Sequence, residues 1–248
     1  MKLVLLGTGR MGREVEAIAL ERGHTIAARL SGRDNPGGSG LVPEAIGDAR
    51  MAIDFSVGAA VPANVRRAAA LGMSVVVGTT GWEEHRAEVE RAVREAGTGL
   101  LHAPNFSLGM LLFMRVVEEA ARLANRLPEF DLHLAEAHHR HKVDHPGGTA
   151  RRIAELLVDR LDRKEGWSTE LPPGAAHPPE RLQVAVTRAG EIPGIHTVGI
   201  DGPDDRIELR HEARSRRGFA SGAVRAAEWL EGRPGVHTLD DLLDTLLD

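Results

Sequence analysis

The chain opens MKLVLLGTGRMGREVEAIALERGH, and the order of features in this segment leaves few folds open. The apolar run Leu3–Leu6 reads as a buried strand. It leads directly into Gly7-Thr8-Gly9-Arg10-Met11-Gly12, and a helix follows with Val15, Ile18, Ala19 and Leu20 on one side. Strand, glycine turn, helix is the opening of a parallel βαβ unit. Glycines permit the tight turn, let a pyrophosphate approach the backbone and let the helix pack closely on the strand, while the helix N-terminus faces the phosphates. A G-x-G-x-x-G alone is a weak signal. Set between a strand and an amphipathic helix, it predicts a dinucleotide site at Gly7, Thr8, Gly9, Arg10, Met11 and Gly12.

Strands and helices keep alternating beyond this unit. Strands are expected over Thr25–Leu30, Met51–Phe55, Ser74–Val77 and Leu100–Ala103, with helices over Val61–Leu71, where Pro62 sits near the start, and Trp82–Ala96. This alternation implies a parallel sheet whose ligands sit at the carboxyl ends of its strands. The loops Asp54–Ser56, Gly78–Gly81 and Ala103–Phe106 belong to that edge. From about Ser107 the pattern changes to a helix over Leu108–Leu127 and then strands at Asp131–Ala137, Leu182–Arg188, His196–Ile200 and Arg206–His211. A second, α+β domain is expected there. Ala220–Leu230 and Leu239–Leu247 read as helices that return to the first domain.

The segment EAHHRHKVDHPGGTA, from Glu136 to Ala150, carries the densest chemistry. His138 and His139 titrate near neutral pH, and Lys142 supplies a charge that pairs with a carboxylate or acts as an acid. After Pro146, Gly147 and Gly148 leave amides unshielded, and Thr149 starts a helix with Ile153, Leu156, Leu157 and Leu161 at helical spacing. Bare amides at a helix N-terminus bind anions. The segment is suited to hold and protonate a small carboxylate-bearing substrate. His138, His139, His141, Asp144 and His145 are also possible metal ligands, but their spacing matches no HExxH or Cys/His template, and no metal is expected.

Composition narrows the classes further. A formal net charge of −5 argues against general nucleic-acid binding. The absence of cysteine removes disulfides, thiolate nucleophiles and cysteine-based zinc sites. Met1 leads straight into the first strand without a signal peptide, and no apolar stretch approaches membrane-spanning length, so a cytoplasmic protein without membrane contact is expected. Two rivals to a reductase of small acids are another Rossmann-type oxidoreductase and a non-catalytic nucleotide sensor. The sensor would need a basic DNA-reading element, and no helix-turn-helix is apparent.

GTGRMG, DFS at Asp54–Ser56, GTTG at Gly78–Gly81, APNFS at Ala103–Ser107, EAHHRHKVDHPGGTA, RAGEIPGIHTV at Arg188–Val198 and FASGAVRAAEWL at Phe219–Leu230 together resemble the 4-hydroxy-tetrahydrodipicolinate (dihydrodipicolinate) reductase family of the diaminopimelate route to lysine. The resemblance spans nearly the whole chain. It implies an α/β protein with a Rossmann-like dinucleotide-binding domain over residues 1–107, completed by helices in 217–248. A smaller α+β domain over 108–216, with a mixed sheet, would serve substrate binding and oligomerisation. His138 would be the catalytic acid/base and Lys142 the proton donor, with His139, Lys142, Gly148 and Thr149 on the substrate carboxylates. Gly78, Thr79, Thr80, Ala103, Asn105 and Phe106 would join the glycine turn around the cofactor, and Arg216 would lie in the region linking the domains. The family commonly has DAPSGT where this chain has Asp144-His145-Pro146-Gly147-Gly148-Thr149.

Two further expectations combine the resemblance with the residues. The second predicted strand ends in Ala28-Arg29-Leu30-Ser31 without the acid that would bind a ribose 2′-hydroxyl. Arg29 and Arg33 could accommodate a 2′-phosphate, so use of both NADPH and NADH is expected, with NADPH preferred. Leu182–Arg188 and His196–Ile200 offer an apolar face that a small domain cannot easily cover alone, and a homotetramer is expected.

Overall fold

A computed structural model describes residues 1–247, which divide into two compact units. One is residues 1–108 together with the C-terminal segment from Arg216, and the other is Gly109–Ser215. The first holds β1 (Lys2–Leu6), α1 (Arg10–Glu21), β2 (Thr25–Leu30), a short α2 (Pro43–Ile46), β3 (Met51–Asp54), α3 (Val61–Ala70), β4 (Ser74–Val77), α4 (Arg86–Ala96) and β5 (Gly99–His102). The strands form a six-stranded sheet in the order β11-β5-β4-β3-β1-β2, the last member being β11 (Gly235–His237). Every pairing is parallel. Such a sheet is covered on both faces, which explains why its strands read as unbroken apolar runs. Leu3, Val4, Leu5 and Leu6 are all buried.

β1 pairs with β2 on one side and β3 on the other, so the chain leaves it in opposite directions and opens a crevice at its carboxyl end. α1 buries Gly12, Val15, Ile18 and Ala19. Leu20, expected on that side, is 50% exposed, because it lies about 100° round the helix from Ala19. Instead of one helix over Trp82–Ala96, a single 3₁₀ turn over Glu83–His85 precedes α4. The C-terminal segment contributes α7 (Arg217–Leu230), α8 (Leu239–Leu247) and, between them, β11, which extends the sheet beside β5. A three-residue strand is too short to show alternation, so only the helices were legible. Arg22 and His24, after α1, both hold Glu228 of α7 at 2.7 Å.

The second unit contains α5 (Leu108–Ala124), which starts at the last residue of the first, then β6 (Asp131–His138), α6 (Gly148–Arg160), β7 (Gly166–Ser168), β8 (Arg181–Arg188), β9 (Ile195–Asp201) and β10 (Arg206–Glu212). Its sheet is mixed, in the order β10-β9-β6-β8-β7, with β6 parallel to β8 and antiparallel to β9. Leu132, Leu134, Leu182, Val184, Val198 and Ile200 pack with Phe113 and Val117 of α5 and Ile153 and Leu157 of α6. Each fully buried aliphatic side chain of this kind contributes ~1.5–3 kcal/mol. The apolar side of β8 and β9 is therefore covered within the unit, not left open as the sequence suggested. The opposite positions, such as His133, Ala135, Gln183 and Thr197, are small or polar. Period two also places Glu136 and His138 on the same face as Leu132 and Leu134, just past the apolar core.

Close packing of α7 gives a stability prediction. A Cβ on Gly222 would stand 1.7 Å from the Phe106 carbonyl oxygen, whereas one on Gly218 of the same helix would meet nothing within 4 Å. Gly222→Ala is expected to lower stability by ~1–3 kcal/mol through overpacking. Gly218→Ala should leave it equal or raise it by up to ~1 kcal/mol. Urea midpoints check both, and equal midpoints for the two variants would contradict this packing.

Candidate active site

At the carboxyl edge of the parallel sheet, Gly7 closes the turn after β1. Its φ of +97° and the Phe55 carbonyl oxygen, 2.4 Å from where a Cβ would stand, both exclude a side chain. Gly12 is equally constrained, its absent Cβ falling 1.9 Å from the Gly7 oxygen, while Gly9 faces open space. Two glycines thus fix the turn, and the one between them leaves an approach to the backbone. The first intrahelical bond of α1 runs from Arg13 N–H to Gly9 O, so the amides of Arg10, Met11 and Gly12 head the helix without intrahelical partners. No acidic side chain stands in that first turn. Thr8 and Gly9 line a cleft of about 290 Å³ with Ser31, Gly32, Phe55 and Ser56.

The walls of this cleft are tied together by a buried polar chain. Asp54, fully buried at the end of β3, accepts from the Ser56 amide at 2.8 Å, the Thr79 hydroxyl at 3.1 Å and Asn64 Nδ2 at 2.8 Å. Asn64 Oδ1 accepts from Asn35 Nδ2 at 2.8 Å, and Asn35 Oδ1 from the Gly40 amide at 2.9 Å. The loops after β2, β3 and β4 are therefore joined through one chain of hydrogen bonds. Gly78 lies under the Phe55 ring, where a Cβ would come within 2.2 Å of Cε1, and Phe55 meets buried Phe106 edge-on with centroids 6.1 Å apart. The Trp82 indole donates to Thr79 O at 2.9 Å, the Ala103 amide to Val77 O at 3.2 Å, and the Ser107 amide to Asn105 Oδ1 at 2.8 Å. Thr80 is exposed on the same edge.

Two further residues expected at the cofactor, Arg29 and Arg216, lie on β2 and at the start of α7. Arg29 on β2 donates to Glu16 of α1 at 2.8 and 2.5 Å, and this pairing holds the Glu16 carboxyl below its usual range. Arg216 is exposed at the start of α7. In the loop beyond β2, four residues past its end, Asp34 accepts from the Ser31 hydroxyl at 2.5 Å and amide at 3.2 Å.

In the second unit, His138 ends β6 and Lys142 stands in the turn that follows. Lys142 Nζ donates to Asp144 at 2.6 Å. That hydrogen bond holds the Asp144 carboxyl below its usual range, and the Gly148 amide adds to the effect. The chain's own carboxylate thus lies on two of the groups expected to take a substrate carboxylate. α6 begins with extended Gly147 as its N-cap, no side-chain cap and no acid in the first turn, so the amides of Gly148 and Thr149 head the helix without intrahelical partners. His139 is half-buried, with its ring 6.1 Å from that of His141.

Beneath these groups lies a carboxylate that motif reading did not single out. Glu136, with a fully buried side chain, accepts at Oε1 from the Gly147 amide at 2.8 Å and from Arg188 of β8 at 2.7 Å. Its Oε2 lies 3.1 Å from His138 Nδ1 and 3.9 Å from Nε2 of His196 on β9. Arg188 also donates to Asp144 O at 2.6 Å. Burial pushes His138 below the usual imidazole range, partly opposed by Glu136, and burial pushes His196 down to about 4. Glu136, Arg188 and His196 lie on three strands and meet only through sheet registry. The alternation Leu132, Leu134, Glu136 was the available sequence signal.

Among the described residues Glu136, His138 and His196 are the trio whose ligand atoms all lie within 4.8 Å of one another, the geometry of a metal site. His139, His141, Asp144 and His145 are not part of it. Local charge argues against a dication. Arg188 already balances Glu136, and Lys142 Nζ and Glu136 Oε2 both lie within 3.3 Å of the point a Gly147 Cβ would occupy. Lys142 is likewise paired with Asp144, so the cluster carries no net negative charge to draw a dication. A proton meets less opposition, so the trio suits proton chemistry.

The chain matches the family model described as dihydrodipicolinate reductase, N-terminus, over residues 1–106 and that described as dihydrodipicolinate reductase, C-terminus, over 109–243. It is 39% identical over 196 residues to the 4-hydroxy-tetrahydrodipicolinate reductase of Methanococcoides burtonii, covering 78% of this chain and 72% of that protein. It is 33% identical over 246 residues to the reductase of the same name from Christiangramia forsetii, covering 99% of each. A solved structure described as dipicolinate-bound dihydrodipicolinate reductase from Paenisporosarcina sp. TG-14 shares the fold, with a TM-score of 0.77 at 20% identity over 96% of this chain and 97% of that one. With both halves of the sequence matched, the chain belongs to the dihydrodipicolinate reductase family of NAD(P)H-dependent oxidoreductases.

Proposed function

We propose that the chain reduces 4-hydroxy-tetrahydrodipicolinate to tetrahydrodipicolinate in the diaminopimelate route to lysine, working in the cytoplasm. The observation that carries this beyond family membership is Asp144, a carboxylate resting on Lys142 and the Gly148 amide beside His138. A substrate carboxylate has the same chemistry. In this reading residues 1–107 and 217–248 carry the dinucleotide, with its phosphates at Gly7 to Gly12 and its nicotinamide end near Gly78 to Thr80 and Ala103 to Phe106. Residues 108–216 carry the dicarboxylate, held by His139, Lys142, Gly148 and Thr149. Water leaves the 4-hydroxy compound first. The reduced nicotinamide, held by the residues named above, would supply hydride for C4, and His138 with Lys142 would supply the proton that completes the addition.

The test is loss of reduced-cofactor absorbance with freshly made substrate. His138→Ala and Lys142→Ala are each expected to cut kcat by ~10²–10⁴-fold while leaving dinucleotide affinity within about twofold, because each removes a proton-transfer group. Near-normal turnover in both would overturn the residue roles. A chelator is expected to leave turnover unchanged.

For the cofactor we propose use of both NADPH and NADH with NADPH preferred, supported by the lack of an acid at the end of β2 and by exposed Arg33 beyond it. Arg33→Ala is expected to lower the NADPH-to-NADH ratio of kcat/KM more than Arg29→Ala, since Glu16 already engages Arg29. Added salt should lower the ratio too, exposed charge pairing being screened. A clear NADH preference, or arginine variants that leave the ratio unaltered, would refute this. The proposed homotetramer would use the small and polar open face of the second sheet, and light scattering that shows a stable monomer would exclude it.

A further inference from the structure

Glu136 has the most thoroughly buried carboxylate of the second unit's site, and the proton chemistry above makes no use of it. We infer that Glu136 is a positioning residue, whose carboxylate holds His138 as the Nδ1–H tautomer and leaves Nε2 to exchange the proton, while the same carboxylate fixes the start of α6 through the Gly147 amide. This rests on the reductase reading of the site.

The argument is one of lone pairs. An ionised carboxylate accepts hydrogen bonds and donates none. Oε1 takes the Gly147 amide at 2.8 Å and Arg188 at 2.7 Å. Oε2 has no aligned donor, and its nearest neighbour among the paired groups is His138 Nδ1 at 3.1 Å, itself buried without an aligned partner. Either atom left unmatched is costly, and a proton on Nδ1 satisfies both at once. The distance suits a hydrogen bond, but the angle does not yet, a state common in sites without substrate that tighten when it binds. On the other side of the ring a Cβ on Gly194 would come within 3.1 Å of Nε2, and the φ of +139° there suits glycine, so the chain keeps that nitrogen clear.

A carboxylate that orients a histidine in this way sets its tautomer and supports the imidazolium when it forms, the division of labour found in serine-protease triads. The groups facing His138 are Glu136 on its own strand, Lys142 and Asp144 from the following loop, Arg188 from β8 and His196 from β9, whose ring meets it edge-on at 5.4 Å. Of these the two carboxylates favour a proton on His138, and Lys142 and Arg188 oppose it. His196, pushed down to about 4 by burial, is neutral near pH 7.

The tautomer is read directly on the wild-type protein. Nitrogen chemical shifts of its histidines, with His138 assigned by comparison with His138→Gln, should show Nδ1–H above the titration midpoint. Nε2–H there would overturn the assignment. Glu136→Gln keeps an acceptor for the Gly147 amide but removes the charge. It is expected to lower kcat by ~10²-fold, with the substrate KM within about threefold, as for the loss of an interaction made in the transition state. The His138 titration midpoint should move to lower pH, taking the corresponding limb of the kcat/KM profile with it. A kcat within about twofold of wild type together with an unmoved titration would overturn the proposal. If the variant does not fold, the wild-type tautomer alone decides. Absence of turnover in the wild type would remove the reductase reading, and the role assigned to Glu136 with it, even where the ring proves to be Nδ1–H.

Discussion

A carboxylate buried at the end of a strand is the constraint on which the second unit's site depends. Taking Glu136 out of water costs several kcal/mol unless charge and hydrogen bonds replace the lost hydration. Around it stand the Gly147 amide and the Arg188 guanidinium, both donating to one oxygen, and the His138 ring, 3.1 Å from the other. Each tethers a different stretch of chain. Gly147 heads α6, Arg188 ends β8, and His138 ends β6. Satisfying one buried charge therefore fixes the N-terminus of α6 relative to the imidazole of His138.

The first unit solves a similar problem with the same means. Asp54 is buried at the end of β3, and its partners come from Ser56, Asn64 and Thr79, with Asn35 one bond further along. Backbone that surrounds a cofactor cleft cannot be held by apolar packing alone, because its amides must face the ligand. A buried acid with several short donors supplies the rigidity from behind. In both units the buried acid stands at or near the end of a strand, Asp54 at the last position of β3 and Glu136 two residues before the end of β6, close to where sheet hydrogen bonding gives way to loop amides.

How legible this was depended on range. The glycine turn, β2, β4 and α8 were readable to the residue because local pattern alone determines them. β7 and β11, at three residues each, were not, since their pairing depends on neighbours distant in sequence. His138 and Lys142 were readable as titratable groups in a dense motif, but Glu136, Arg188 and His196 come together through the registers of β6 with β8 and of β6 with β9. The reading of Arg29 illustrates the same limit. Its place at the end of β2 suggested a phosphate partner, and only the structure shows Glu16, thirteen positions earlier, taking its guanidinium.

Charge around His138 gives this arrangement a further consequence. Without substrate, burial keeps the ring's proton affinity low, Lys142 and Arg188 oppose a proton, and Glu136 and Asp144 favour it. Anions and cations act in opposite directions, and desolvation is the largest influence on the ring. A dicarboxylate held as proposed by His139, Lys142, Gly148 and Thr149 would add negative charge on one side only. Opposite charge nearby favours the protonated imidazole, which shifts the balance toward uptake of a proton. The proton would then be drawn to His138 when the molecule that needs it is present. The carboxylates of the substrate and the carboxylate beneath the ring would act on the same imidazole, the first through space and the second through a fixed tautomer.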